Sequence, residues 1–192
     1  MMAVPGAWHN RYFKRMERNM MKNKWSKNMI MAFCLMAALA LCGQPAFSAS
    51  DEDSLRIDIP TQLDSANVVV DFGHLVLNGD MPFALGDIHL LADDLRQWHA
   101  KGQVVVIFHG DAAFLVLNDS TYNAVRHASG GNPYKGLLNE LMSEGVQLEL
   151  CGATAKGNHW GNADLLPGVK VNVNAMVRVT ELEQKGYTPI YQ

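Results

Sequence analysis

The sequence of 192 residues is poor in cysteine, with only Cys34, Cys42 and Cys151. The first two lie in a basic and then apolar N-terminal segment, so Cys151 is the single cysteine of the remainder. One cysteine cannot form an intramolecular disulfide, and it cannot build a sulfur-rich zinc site. In an oxidising compartment Cys151 is therefore either buried and inert or retained for chemistry.

The sequence also lacks an apolar run long enough for a confident membrane anchor. Its longest apolar stretch, Met29–Leu41, has about 13 residues, whereas a spanning helix needs about 20. Basic residues precede this stretch, and small residues follow Pro45 as far as Ser50. This pattern is typical of a secretory signal peptide, so residues 1–49 are predicted to be a signal peptide with a basic lead-in, cleaved near 48–50.

Two alternatives remain open for this segment. Cys42 has the position of a lipoprotein cysteine, although Leu41 before it is bulkier than the small residue that lipidation usually requires. Met20 or Met21 is a possible true start, which would give a signal of ordinary length. Either way, export through a signal peptide predicts a periplasmic protein without a stable membrane span.

Positive charge is scarce after the predicted signal. Seven of the sixteen Lys and Arg residues precede residue 50, but only one of the nineteen acidic residues does. Nine basic residues then face eighteen acidic ones, and nucleic-acid binding needs clustered positive charge. Nucleic acid is therefore excluded as an expected partner.

Nucleotide, hydrolase and zinc motifs are missing as well. Gly73, Gly79 and Gly86 are too scattered for a phosphate-binding loop, and no serine has a nucleophile-elbow pattern. The six histidines after residue 49 do not have the close spacing of zinc ligands. We therefore predict neither a cofactor nor a metal.

The rest of the chain alternates strand and helix patterns. The pattern predicts an extended lead-in over residues 50–66 and one α/β domain over residues 67–192. Strand patterns recur before helical ones, which predicts a three-layer αβα fold with a mainly parallel sheet of about five strands. The predicted strands are Val68–Phe72, Gln103–Phe108, Val146–Cys151 and Val169–Val173, with an extended segment Tyr187–Tyr191 whose Pro189 suits an edge. The predicted helices are Leu85–His99, Ser120–Ala128, one that starts at Pro133 with Asn132 as its cap, and Ala175–Gln184 with Asn174 as its cap.

Several short segments, in the order in which they occur along the chain, resemble the DsrE/DsrF-like family of small sulfur-handling proteins. They are His109-Gly110-Asp111 after a strand, Asn132-Pro133, Leu150-Cys151-Gly152, the segment Asp164–Val169 and the ending Gly186–Ile190. The resemblance covers nearly all of the chain from residue 68 to 191. It implies a flavodoxin-like sheet, a homo-oligomer such as a trimer or hexamer, and a cysteine that carries sulfur as a persulfide.

Cys151 matches the position of that cysteine, at the end of a strand and before a helix, where a thiolate is favoured. His109 also ends a predicted strand and is the best candidate for an assisting residue, with Asp111 as a possible orienting group. Lys156 and His159 follow Cys151 and are weaker candidates. The resemblance thus predicts a sulfur carrier or sulfurtransferase whose donor and acceptor thiol proteins are unknown.

Other functions remain open on the sequence alone. Cysteine is often buried and packed as a small apolar residue, so a non-catalytic oligomeric binding or scaffold protein is the main alternative. A redox or small-ligand sensor in the same fold is a third.

Overall fold

Five parallel strands form one sheet in this computed structural model, which describes residues 56–192. The predicted signal peptide, residues 1–49, lies outside the described residues. The strands in chain order are β1 (Ser65–Phe72), β4 (Lys101–Phe108), β5 (Gln147–Cys151), β6 (Lys170–Asn172) and β7 (Thr188–Tyr191), and a small antiparallel hairpin is made of β2 (Leu77–Asn78) and β3 (Met81–Pro82). The sheet order is β6-β5-β4-β1-β7.

Within residues 56–192, five α-helices connect or follow these strands. They are α1 (Phe83–Gln97), α2 (Asp119–Arg126), α3 (Lys135–Ser143), α4 (Gly152–Gly157) and α5 (Ala175–Gln184). A 3₁₀ segment, Gly110–Val116, follows β4. None of the described helices is long and apolar enough to cross a membrane.

The central strands β1 and β4 are buried on both faces because their apolar runs do not alternate with polar residues. Val105, Val106 and Ile107 of β4 have no exposed surface. On one face Phe72 and Phe108 are paired across the strands, with ring centroids 5.3 Å apart. This face carries the larger core, against which α1, α3 and α4 pack.

The other face is covered differently. Ala175, Val179 and Leu182 of α5 pack there on Val69 and Val105. The reason is the path of the chain. The first three crossovers move along the sheet in one direction, from β1 to β6, whereas the crossover from β6 returns to β7 beside β1. A right-handed connection that reverses direction must place its helix on the opposite face, and that helix is α5.

The predicted fold class is confirmed: the chain has an α/β fold with a parallel sheet of five strands between helices. Pro189 lies in the edge strand β7 as predicted, where its missing N–H costs no ladder hydrogen bond. The predicted helix Ala175–Gln184 has those bounds, and the Asn174 side chain accepts a hydrogen bond from the Val177 N–H at 2.9 Å.

Two helix starts differ from the prediction by two residues. α1 begins at Phe83 rather than Leu85, and α3 begins at Lys135, whereas the sequence indicated Pro133 with Asn132 as cap. Asn132 is instead buried, and its Nδ2 donates to the carbonyl oxygens of Leu115 and Leu117 at 2.7 Å each. Its Oδ1 accepts from the Tyr134 N–H, so Asn132 organises a turn before the helix.

Candidate functional site

Cys151 is the last residue of β5, where β5 pairs with Asn172 of β6. The helix after β5 packs on the larger core, and the helix after β6 packs on the other face. The carboxyl ends of these two neighbouring strands therefore border the point where the winding of the sheet reverses. Open α/β sheets bind ligands at such points.

The thiol itself is enclosed. Cys151 is 4% exposed and belongs to the apolar cluster that contains Val105 and Ile107. Its Sγ accepts a hydrogen bond from the backbone N–H of Ala175 at 3.3 Å. Ala175 is the first residue of the ten-residue helix α5, so the positive end of a helix dipole lies at the sulfur.

Two opposing effects act on the thiol. Burial raises the pKa of Cys151, because it disfavours the charged form. The hydroxyl and N–H of Thr154 and the N–H groups of Ala175 and Ala153 stabilise the thiolate and lower the pKa. The donors outweigh burial, so the pKa of Cys151 lies below its ordinary value, which increases the fraction of the nucleophilic thiolate.

Gly152 makes this close arrangement possible. A Cβ at this position would lie 2.3 Å from the backbone oxygen of Asn172 and 3.0 Å from that of Val173. Only glycine allows the turn after β5 to approach the end of β6 so closely. The thiol is thereby held against the segment that leads into α5.

His109 lies at the same edge of the sheet. It directly follows Phe108, which pairs with Leu150, and its extended backbone continues the strand direction. Its Nε2 is 2.8 Å from Oδ1 of Asp71 at the end of β1. A Cβ on Gly73 would lie 2.4 Å from the imidazole, so the glycine leaves the space that the ring occupies.

The partner of His109 differs from the one considered in the sequence. Asp111 was the possible orienting group, but Asp71 occupies that role, while the Asp111 N–H donates to the Gly73 carbonyl. His109 and Cys151 end neighbouring strands on the same sheet face, yet within the described residues no hydrogen bond joins them. Lys156 in the last turn of α4 and His159 after it are both exposed.

An ion pair between Glu149 and Arg178 lies beside the cysteine and was not predicted. Glu149 stands two residues before Cys151, and its side chain is 3% exposed. Burial raises the pKa of Glu149, but hydrogen bonds from Arg178, Asn172 and Gln147 outweigh it and hold the pKa below its ordinary value. The sequence does carry a signal for this ion pair. Glu149 is an acidic residue inside the apolar strand pattern Leu148-Glu149-Leu150, and a buried charge requires a partner.

An open groove of about 490 Å³ runs along the edge strand β6, beside α5. Its floor includes the Glu149–Arg178 pair, and its rim carries exposed apolar side chains from β6 and α5. The exposed apolar residues form what we call the β6 patch: Val171, Val173, Met176 and Val177.

Within the described residues, one cluster has the side chains to hold a cation. His89 on α1, Glu140 on α3 and Glu144, which directly follows α3, have ligand atoms within 4.8 Å of one another. Arg96 already supplies positive charge there, with its Nε 3.8 Å from Oε1 of Glu144. The sequence did not indicate this cluster, because its members come from helices far apart in the chain.

We expect Thr154→Val to raise the pKa of Cys151, because it removes a hydroxyl that stabilises the thiolate. The rate of Cys151 alkylation against pH, followed on its tryptic peptide, measures this, and the rate near neutral pH should fall several-fold. Thr180→Val is the matched control, since that hydroxyl donates to the Met176 carbonyl on an exposed face of α5. An unchanged profile for Thr154→Val would contradict the role of the hydroxyl.

Comparison with known proteins identifies a family for this chain. The DsrE/DsrF-like family profile matches residues 78–191, which is more than half of the chain. None of the curated proteins matches significantly. Two similar solved structures are the protein of unknown function MTH1491 from Methanobacterium thermoautotrophicum (18% identity, 67% of this chain, 100% of that one, TM-score 0.48) and the ychN protein from E. coli (16%, 66%, 99%, 0.48). The chain belongs to the DsrE/DsrF-like family.

Proposed function

We propose that this protein carries reduced sulfur as a persulfide on Cys151, either as a sulfur carrier or as a sulfurtransferase. One observation supports this more than any other. The thiol lies at the reversal point of the sheet among N–H and hydroxyl donors that outweigh the effect of burial on its pKa. Membership of a family related to sulfur relay supports the same conclusion.

The proposed chemistry needs no external oxidant. The Cys151 thiolate attacks the sulfane sulfur of a donor, such as a persulfide, and a new S–S bond forms. The donor's own S–S bond breaks, and its electron pair leaves with the donor thiolate. An acceptor thiolate then attacks the outer sulfur, and the electron pair returns to Cys151 as thiolate.

His109 is the proposed assisting residue. With Nε2 bonded to Asp71, its Nδ1 makes no hydrogen bond within residues 56–192 and is available to take a proton. In this proposal the imidazole accepts the proton of an incoming acceptor thiol, which would otherwise attack slowly in its neutral form. Cys151 does not need this help, because backbone donors already stabilise its thiolate.

A scaffold or binding protein with a structural Cys151 is the second candidate. Its supporting observation is that Cys151 is 4% exposed and packs among apolar side chains. The two candidates differ in whether small reagents react with Cys151 in the folded protein.

We also propose that the protein is exported to the periplasm, on the strength of the signal pattern in residues 1–49.

We propose further that it forms a homo-oligomer through the β6 patch. The patch adjoins the edge strand β6, and Val173 and Met176 within it are 79% and 83% exposed. Exposed apolar side chains grouped beside a sheet edge are typical of an interface.

Treatment with inorganic polysulfide should add one sulfur atom to the protein, and a reductant should remove it. Intact-mass spectrometry measures the gain in a chain whose Cys34 and Cys42 are both replaced by serine, so that Cys151 is its single thiol, and Cys151→Ser in that background should lose it. If the folded protein gains no sulfur, and Cys151 resists alkylation until the protein is denatured, the scaffold function is correct.

Val173→Asp should shift the protein towards smaller species in sedimentation velocity, because it places a charge in the proposed interface. Val76→Asp is the matched control, since Val76 is 66% exposed and precedes the β2–β3 hairpin. A wild-type protein that sediments as a monomer would refute the oligomer.

When the chain is expressed in a bacterium with two membranes, N-terminal sequencing of the periplasmic fraction should find a start near residues 48–50. A chain that begins at a lipidated Cys42 would support the lipoprotein alternative. A cytoplasmic chain with its N-terminus intact would refute export.

A further inference from the structure

A further inference concerns how the site is held together, and it rests on the proposed function. We propose that Glu149 and Arg178 are positioning residues that hold the first turn of α5 on Cys151 and balance the charge beside its sulfur. Neither is proposed to touch the transferred sulfur. Arg178 acts through the helix, and Glu149 acts through the strand.

The geometry joins helix and strand at two successive points. At the first, the Ala175 N–H donates to Cys151 Sγ at 3.3 Å. At the second, Arg178 Nε donates to both oxygens of Glu149 at 3.1 Å, and Nη2 donates to Oε1 at 2.8 Å. Arg178 follows Ala175 by about one helical turn, and Glu149 precedes Cys151 by two residues on the same strand face. The ion pair therefore fixes the position at which Ala175 meets the thiol.

The burial of the pair makes it costly to break. The Glu149 side chain is 3% exposed and that of Arg178 is 21% exposed. Glu149 also accepts hydrogen bonds from Asn172 Nδ2 at 3.0 Å and from Gln147 Nε2 at 2.6 Å. Loss of Arg178 is therefore strongly destabilising, because it leaves a buried charge unpaired. The hydrogen bonds from Asn172 and Gln147 remain to hold that charge on Glu149.

The charges near the pair are balanced. On α5, Glu181 accepts from Arg178 Nη1 at 2.8 Å and also pairs with Lys185. Two carboxylates thus face two cations. The charged groups on the other surrounding elements are Lys170 of β6, which donates to Gln147, and the exposed Lys156 of α4. His109, which follows β4, pairs with Asp71 of β1.

This balance predicts shifts of opposite sign for two variants. Arg178→Met leaves the Glu149 charge uncompensated about 7 Å from Cys151, and should raise the pKa of the thiol by about one unit. Glu149→Gln leaves the Arg178 charge uncompensated and should lower the pKa by a similar amount. The oxygen of the new amide can still accept from Asn172 Nδ2, which donates to Glu149 Oε2 at 3.0 Å in the wild type.

A merely structural role predicts a different result. If the pair only stabilised the fold, each variant would loosen α5 and weaken the Ala175 contact. Both would then shift the pKa of Cys151 upwards. The sign for Glu149→Gln therefore separates the two explanations.

The experiment measures Cys151 alkylation by iodoacetamide against pH in the whole chain, followed on the tryptic peptide that contains Cys151. The proteins are the wild type, Arg178→Met, Glu149→Gln and the double variant, each checked for folding by circular dichroism. Arg96→Met is the matched control, because Arg96 also pairs with carboxylates but lies on α1, which packs on the opposite sheet face. It should leave the profile unchanged.

Opposite shifts in the single variants, with a profile nearer to wild type in the double variant, would support the proposal. Shifts in the same direction, or no shift, would overturn it. If Arg178→Met does not fold, the result for Glu149→Gln decides, since only a downward shift agrees. Failure of the sulfur-carrier function has a separate signature: the wild type gains no sulfur from polysulfide, whatever the variants do to the alkylation profile.

Discussion

The candidate site depends on one constraint, the handedness of the crossover from β6 to β7. Because that connection runs back across the sheet to pair with β1, α5 must pack on the face opposite to the other crossover helices. The ends of β5 and β6 then lead into helices on different faces. The thiol of Cys151 lies between these helices, at the first residue of one and immediately before the other.

Most of the hydrogen-bond donors around the thiol are backbone groups. The hydroxyl and N–H of Thr154 and the N–H groups of Ala175 and Ala153 lower the pKa of the thiol, and none of them carries a charge. Such donors are fixed by secondary structure, so little has to reorganise when a thiolate forms. The same donors enclose the thiol, which limits the access of reagents to it. The groove nearby is lined by polar and apolar side chains of β6 and α5.

The sequence was sufficient for the fold class because its strands are long apolar runs separated by amphipathic helices. It was also sufficient for α5, where Asn174 is a strong cap signal followed by a helical pattern. It failed at Asn132, where tertiary hydrogen bonds to Leu115 and Leu117 override the capping preference. Local patterns do not encode such long-range bonds.

The site was predictable only in part for the same reason. A strand end before a helix marked the position of Cys151, and the end of the neighbouring strand marked that of His109. The partners were not predictable, because Asp71 and Arg178 reach His109 and Glu149 from elements far away in the chain. Only the strand order brings them together, and that order was not deducible from spacing.

The pairing of β7 with β1 has a consequence for how the chain folds. Val68 pairs with Thr188, and the Asp71 carbonyl accepts from the Gln192 N–H, so contacts of very long sequence separation close this side of the sheet. Closing so long a loop costs conformational entropy before any contact compensates for it. The contact of Ala175 with Cys151 and the pairing of β4 with β5 close much shorter loops. On this ground we expect β7 to join the sheet after α5 has covered the thiol.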